Sequence, residues 1–176
     1  LIAIALVCLG PLAVAMYLYF FAPPELKAMA GKPLEPFAFP YASVQTLDGQ
    51  PIAHPVVGER WLLVHAGSGA CASTCRDALY LTRQARKAQG RNMDRIQRIW
   101  IITDAKPPNA DMLVAHPDLL VVRAMDAHVA QQLGPDLQDV SPLIYLVDRR
   151  GFVVFRYDAS VEPTAFIREL GKLVKF

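Results

Sequence analysis

The chain opens on an apolar run, Leu1 to Ala22, that contains no charged side chain. Beyond it, the pattern changes from block to block. Trp61-Leu62-Leu63-Val64-His65 is almost continuously apolar, as expected of a central strand covered on both faces. Gly67-Ser68-Gly69 interrupts it. From about Ala72 to Gln89 the apolar positions return at helical spacing, with Ala78, Leu81, Ala85 and Ala88 on one stripe and Gly90 near the end. Ile99–Ile102 predicts a second buried strand, Asp111–Ala115 a short helix, and Leu119–Arg123 a third strand. Asp126 is placed to cap a helix that runs to about Leu133 and stops at Gly134-Pro135. Leu143–Val147, the turn Asp148–Gly151 and Phe152–Tyr157 predict an antiparallel hairpin. Pro163 to Val174 closes the chain as a helix, with Phe166, Ile167, Leu170 and Val174 on one face. Upstream, Ser43–Leu47, Asp48-Gly49 and Gln50–Ile52 predict a small hairpin with a type I′ turn.

Alternating strands and helices require parallel pairing with helices on both faces of the sheet. The final hairpin and helix make that sheet mixed. The expected architecture is an α/β, thioredoxin-like mixed sheet flanked by helices, occupying residues 41–176. Residues 23–40 contain prolines at positions 23, 24, 33, 36 and 40 and predict a stiff tether. Residues 1–22 reach about 33 Å as a helix, enough to span a bilayer's hydrocarbon core. Tyr17, Tyr19, Phe20 and Phe21 gather at its end like an interfacial belt. Ala13-Val14-Ala15 matches a small-x-small cleavage site, but the apolar run continues past it, so the expectation is a transmembrane anchor. Cys8 follows Val7 without a lipid-attachment pattern and reads as an apolar helix residue.

Composition adds exclusions. Net charge is only +2, which argues against a dedicated nucleic-acid binder. No phosphate-binding glycine loop, nucleophile elbow or HExxH motif occurs. Arg83, Arg86, Lys87, Arg91, Arg95 and Arg98 face a single Asp94, which reads as a solvated basic surface.

The chemistry-bearing residues are Cys71 and Cys75, at the junction of the first central strand with its helix. Open α/β sheets place their sites beyond the carboxyl ends of strands. If both lie on one helix face, their Cα atoms stand about 6 Å apart, within reach of a disulfide. The pair can close a disulfide, hold a soft metal such as Cu(I) or Zn(II), or staple a turn. The helix N-terminus favours a thiolate, and on this reading Cys71 has the lower pKa and is the nucleophile. Pro142, just before a strand, stands where the thioredoxin-like folds that this order of elements resembles carry a cis-proline facing the cysteine turn, and the resemblance makes it the candidate. His65, six residues before Cys71, is the best-placed histidine for a third metal ligand. His54, His116 and His128 read as surface residues.

Trp61-Leu62-Leu63-Val64, Gly67, Cys71-x-x-x-Cys75 and Tyr145-Leu146-Val147-Asp148-Arg149-Arg150-Gly151 together resemble the Sco/SenC family. The resemblance spans roughly residues 36–175. It implies a membrane-anchored thioredoxin-fold protein of the cytochrome c oxidase system, acting in copper delivery or thiol reduction during assembly. It also implies oxidase subunits as partners and a soluble domain on the periplasmic side of the inner membrane, held by one span. Ala72 and Arg76 stand where the family carries proline after each cysteine, and Val140 stands where it carries the copper-ligand histidine. Valine offers no donor to a metal. A non-catalytic accessory subunit of a terminal oxidase, with Cys71–Cys75 as a structural disulfide, is therefore the alternative expectation.

Overall fold

The computed structural model describes residues 29–52, 59–126, 128–133 and 143–175, with 10, 11, 14, 16 and 17 in the N-terminal run. The predicted anchor over 1–22 lies almost wholly outside the described residues. Among the described residues, no helix is long and apolar enough to cross a membrane.

The elements are β1 (Lys32–Ala38), β2 (Val44–Thr46), β3 (Trp61–Gly67), α1 (Ser73–Lys87), β4 (Ile96–Ile102), α2 (Ala110–Ala115), β5 (Leu119–Ala124), α3 (His128–Leu133), β6 (Leu143–Val147), β7 (Phe152–Asp158) and α4 (Pro163–Leu173). The strands form one sheet in the order β1-β7-β6-β3-β4-β5-β2. β3 pairs parallel with β4, and β4 with β5, while β6 runs antiparallel beside β3. The mixed sheet predicted from the strand–helix alternation is therefore present, with β3 at its centre.

Alternate residues of β3 serve opposite faces, as strand geometry requires. Leu62, Val64 and Ala66 join Ile99, Ile101, Val122, Tyr145 and Val147 in one core. Leu63 joins Ala78, Leu81, Ala85, Ile144, Leu146, Phe166 and Leu170 beneath α1 and α4. Each fully buried aliphatic side chain here contributes about 1.5–3 kcal/mol of transfer free energy. Helix α4 starts where the sequence indicates: Pro163 occupies its first turn, and the Glu162 carboxylate accepts from the N–H groups of Thr164 and Ala165. Ala88, placed on the stripe of α1, is instead exposed beyond the helix end.

Two local expectations change. Lys32–Ala38, assigned to the tether, is an edge strand paired antiparallel with β7, with a register shift between Pro33 and Phe37. Prolines are tolerated there because an edge strand leaves N–H positions unpaired. The turn after β2 is not type I′, which needs positive φ at both central residues. Only Gly49 has positive φ (79°), and its N–H donates to the Thr46 carbonyl. This is a tight turn followed by a left-handed glycine, the three-residue hairpin solution.

Candidate functional site

Strand β3 ends at Gly67, in the middle of the sheet, and the chain must turn there to enter α1. Asp104, in the loop after β4, organises that turn. Its carboxylate accepts from Ser68 Oγ at 2.7 Å, from the Gly69 N–H at 2.9 Å and from the Lys106 N–H at 3.3 Å. Burial works against the charged form, but these hydrogen bonds, led by that of Gly69, hold the carboxyl below its ordinary pKa. Arg123 donates to the carbonyls of Asp104 and Lys106 from the next strand. The Asn109 N–H reaches back to the Gly69 carbonyl at 3.1 Å. The two loops are thus tied together by main-chain and carboxylate bonds.

Cys71 follows, with φ of 46°, the only described non-glycine residue in the left-handed region. Such a conformation costs on the order of 1–3 kcal/mol and persists only where its surroundings impose it. The Cys71 N–H donates to the Ser68 carbonyl, and Arg76 Nη1 donates to the Cys71 carbonyl at 3.3 Å. Ala72 is the N-cap of α1 and supplies no side-chain cap. Cys75 is the third helical residue, so its N–H is among those a helix leaves without an internal partner.

Cys71 and Cys75 are joined as a disulfide with Cα atoms 5.1 Å apart. The expectation that both lie on one helix face is corrected. Cys71 precedes the helix, and its left-handed turn, not helical spacing, brings the two together. Both residues are buried, Cys71 at 0% exposure and Cys75 at 7%, in a cluster with Leu79, Trp100, Ile102, Met112 and Val121. Cys71 stands one residue before the N-cap Ala72, and Cys75 is the third residue inside the helix.

His65 lies on the β3 face shared with Leu63 and is 3% exposed. It pairs in register with Trp100 on β4 and with Ile144 on β6. Its Nδ1 is 3.0 Å from the Leu143 carbonyl oxygen. A carbonyl only accepts, so Nδ1 carries the hydrogen. Burial holds the ring pKa below its ordinary value, against the opposing effect of the Leu143 carbonyl, and the ring is neutral. Nε2 is then a bare lone pair. Among the described residues it has no hydrogen-bond partner, nor has Trp100 Nε1.

The structure does not bring His65 into a metal site with the cysteines. Among the described residues, no three His, Cys, Asp or Glu side chains gather to hold a metal ion. Two sulfurs tied in a disulfide offer no thiolate, so in the disulfide state the described residues present no donor set for Cu(I). Pro142 and Val140 lie outside the described residues, as does His54.

The basic stretch is not a solvated face throughout. Arg98 is 0% exposed, on β4 beneath α1. It donates to the Leu79 carbonyl at 2.6 Å, to Thr82 Oγ1 at 3.2 Å and to Asp118 at 3.2 Å. Burial lowers its pKa to about 10, offset by Asp118, so it stays charged at neutral pH. Arg86 meets the same Asp118, and Arg95 donates to the carbonyls of Val174 and Lys175. His116, expected at the surface, is buried at 5% exposure, with Nδ1 3.4 Å from Arg98 Nη2. These partners come from β4, α1 and the α2–β5 loop, so local sequence pattern carries no trace of them.

His116 gives a testable pH dependence. Burial and the charges of Arg98 and Arg83 push its pKa down to about 4, against the pull of Asp118. The unfolded chain therefore binds a proton that the folded chain refuses. Stability on this account is complete above about pH 6.5 and is lost as pH falls toward 4, a change of roughly 1–3 kcal/mol. Urea midpoints measured across this window should fall with pH, and His116→Leu should flatten that fall. An unchanged slope in the variant would remove His116 as its source.

A family model described as transmembrane-like, thioredoxin-like, C-terminal domain matches residues 61–176. The chain belongs to this family. Its fold is shared with solved Sco proteins. ScoI of Bradyrhizobium japonicum, solved with copper bound, is 20% identical with a TM-score of 0.55, covering 81% of this chain and 98% of that one. Yeast Sco1, also solved with copper bound, is 18% identical at a TM-score of 0.60, covering 85% and 94%. BsSco, described as a cytochrome c oxidase assembly protein with a disulfide switch, is 16% identical at 0.55, covering 86% and 99%. No curated protein matches the sequence. The structural likeness establishes a Sco-type thioredoxin-like fold.

Proposed function

We propose that this domain carries out thiol–disulfide exchange in the assembly of a membrane-bound cytochrome c oxidase. The carrying observation is the Cys71–Cys75 disulfide at the carboxyl end of the central strand, on a turn held in a strained conformation. The Sco-type fold supports the oxidase setting, since solved proteins with that fold are described as acting there. On this reading, residues 1–22 anchor the chain by one span in the inner membrane, 23–31 lead out of it, and the domain faces the periplasm. Pro142 would shape the groove that receives a partner segment. Copper is not assigned a step, because Val140 removes the family's third donor.

A partner thiolate attacks one sulfur of the disulfide, forming a mixed disulfide, and the other sulfur leaves with the electron pair. The partner's second thiol then attacks the mixed disulfide, leaving Cys71 and Cys75 reduced and the partner oxidised. Equilibration of the full chain with glutathione redox buffers tests this. A pair that is reduced in buffers poised like those that reduce exchange catalysts is the expected result. A bridge that stays oxidised against strong reductant overturns it.

The burial of both cysteines favours a second reading, a non-catalytic accessory subunit stapled by this disulfide. Under that reading the protein co-purifies with oxidase subunits, and Cys71→Ser with Cys75→Ser leaves oxidase assembly intact.

A further inference from the structure

We propose that His65 is the internal proton acceptor for the Cys71–Cys75 pair. The inference rests on the exchange reading and deepens it. Three observations on one sheet face carry it. First, the Nδ1–H is committed to the Leu143 carbonyl at 3.0 Å, which fixes the tautomer and leaves Nε2 as an acceptor. Second, Nε2 has no donor among the described residues although His65 is only 3% exposed. A buried acceptor without a partner costs about 1–3 kcal/mol and calls for an explanation. Third, the ring points along β3 toward the cysteine turn. A Cβ placed on Gly67 would stand 3.2 Å from Nε2, and Gly67 is the last residue of β3 before that turn. Trp100, in register with His65, belongs to the same buried cluster as both cysteines.

The disulfide state needs no acceptor, since it holds no S–H. The dithiol state supplies two S–H groups in an interior where burial disfavours free thiolates. Nε2 accepts a hydrogen bond from the interior thiol in that state. When a partner disulfide reoxidises the pair, one cysteine thiolate first attacks it and forms the mixed disulfide. The second thiol then passes its proton to Nε2 as its sulfur attacks the sulfur of the first cysteine. The Cys71–Cys75 bond forms, and the partner leaves with the electron pair. The imidazolium so formed keeps its Nδ1–H bond to Leu143 and returns the proton to solvent or to the leaving thiolate.

The titratable groups facing this ring are few. At the turn beyond Gly67 lie Cys71 and Cys75, while Arg83 of α1 stands near Arg98 and His116. Arg98, with Asp118 and His116, lies on the same face but pairs with Leu63, two strand positions from His65. From β7, Tyr157 packs beside Leu63, with its phenol pKa raised by burial and by Glu169. None of these charges contributes to the shift at His65, which burial and the Leu143 carbonyl account for.

The test uses the full chain, reduced and then reoxidised by glutathione disulfide over a range of pH. His65→Asn keeps a donor for Leu143 and removes the basic nitrogen. At neutral pH it should close the bridge about tenfold or more slowly than wild type, with a profile that keeps rising as hydroxide increases. A folded His65→Asn with the wild-type rate and profile overturns the proposal. Nitrogen NMR of the wild-type imidazole gives an independent reading if that variant does not fold. Nε2 should shift on reduction as it gains a hydrogen bond, and an unchanged Nε2 signal overturns the proposal. A bridge that cannot be reduced overturns the exchange reading and this one together, whereas a reducible pair indifferent to His65 overturns this one alone.

Discussion

Replacing Arg98 by alanine is expected to lower the free energy of unfolding by about 2–4 kcal/mol. The guanidinium is fully buried, and its hydrogen bonds join the sheet to α1 through Leu79 and Thr82 and to the α2–β5 loop through Asp118. Truncation removes the charged donor from the Leu79 carbonyl, which keeps only Thr82 Oγ1 among its side-chain donors, and removes one of the two arginines that neutralise Asp118. Arg98→Met should cost less, because it keeps the apolar stem in place and the Asp118 side chain, 26% exposed, retains Arg86 and access to water. Urea denaturation of both variants measures the difference, and a double-mutant cycle with Asp118→Asn isolates the pair. A loss below about 1 kcal/mol for Arg98→Ala would show that water replaces these bonds. The consequence reaches the site, because Arg98 pins the helix that carries Cys75.

This cluster also marks where the sequence stops being informative. Trp61–His65 and Leu143–Val147 are legible as central strands because both faces of each are covered, so their apolar runs are continuous. Helix α4 is legible because its proline and its apolar stripe agree. Arg98 is not, because its partners lie 16 to 20 residues away in sequence, on α1 and in the α2–β5 loop. Strand β1 is hidden for another reason: its prolines suppress the strand signal, and only pairing with β7 reveals it. At the site, the two cysteines and their strand-to-helix junction are visible from spacing. Asp104 is invisible, since it acts through main-chain bonds to a loop 35 residues earlier. An Asp just after a buried strand, facing a Gly-Ser-Gly turn, is the only signal it leaves. The conformation of Cys71 is likewise set by that loop, which is why helix geometry misplaces it.

The loop therefore supplies the second large effect. Gly69→Ala is expected to destabilise the fold by roughly 2–4 kcal/mol and to slow closure of the Cys71–Cys75 bridge. A Cβ at Gly69 would fall on the carbonyl oxygens of Lys106 and Pro107. Those are main-chain atoms, held in place by Arg123, Asp104 and the Asn109 N–H. No side-chain rotation relieves the clash, so one of the two loops must move. Moving either breaks the Gly69–Asp104 bond and releases the turn that holds Cys71 at positive φ. Gly67→Ala is the control, because its added Cβ meets only the His65 ring, with Nε2 at 3.2 Å. Gly67→Ala should thus cost less stability than Gly69→Ala, with its effect concentrated in the exchange rate. Denaturation midpoints and reoxidation rates of the two variants separate the roles. Equal loss of stability in both would mean that the loop clasp does not hold the cysteine turn, and that Asp104 serves the fold without shaping the site.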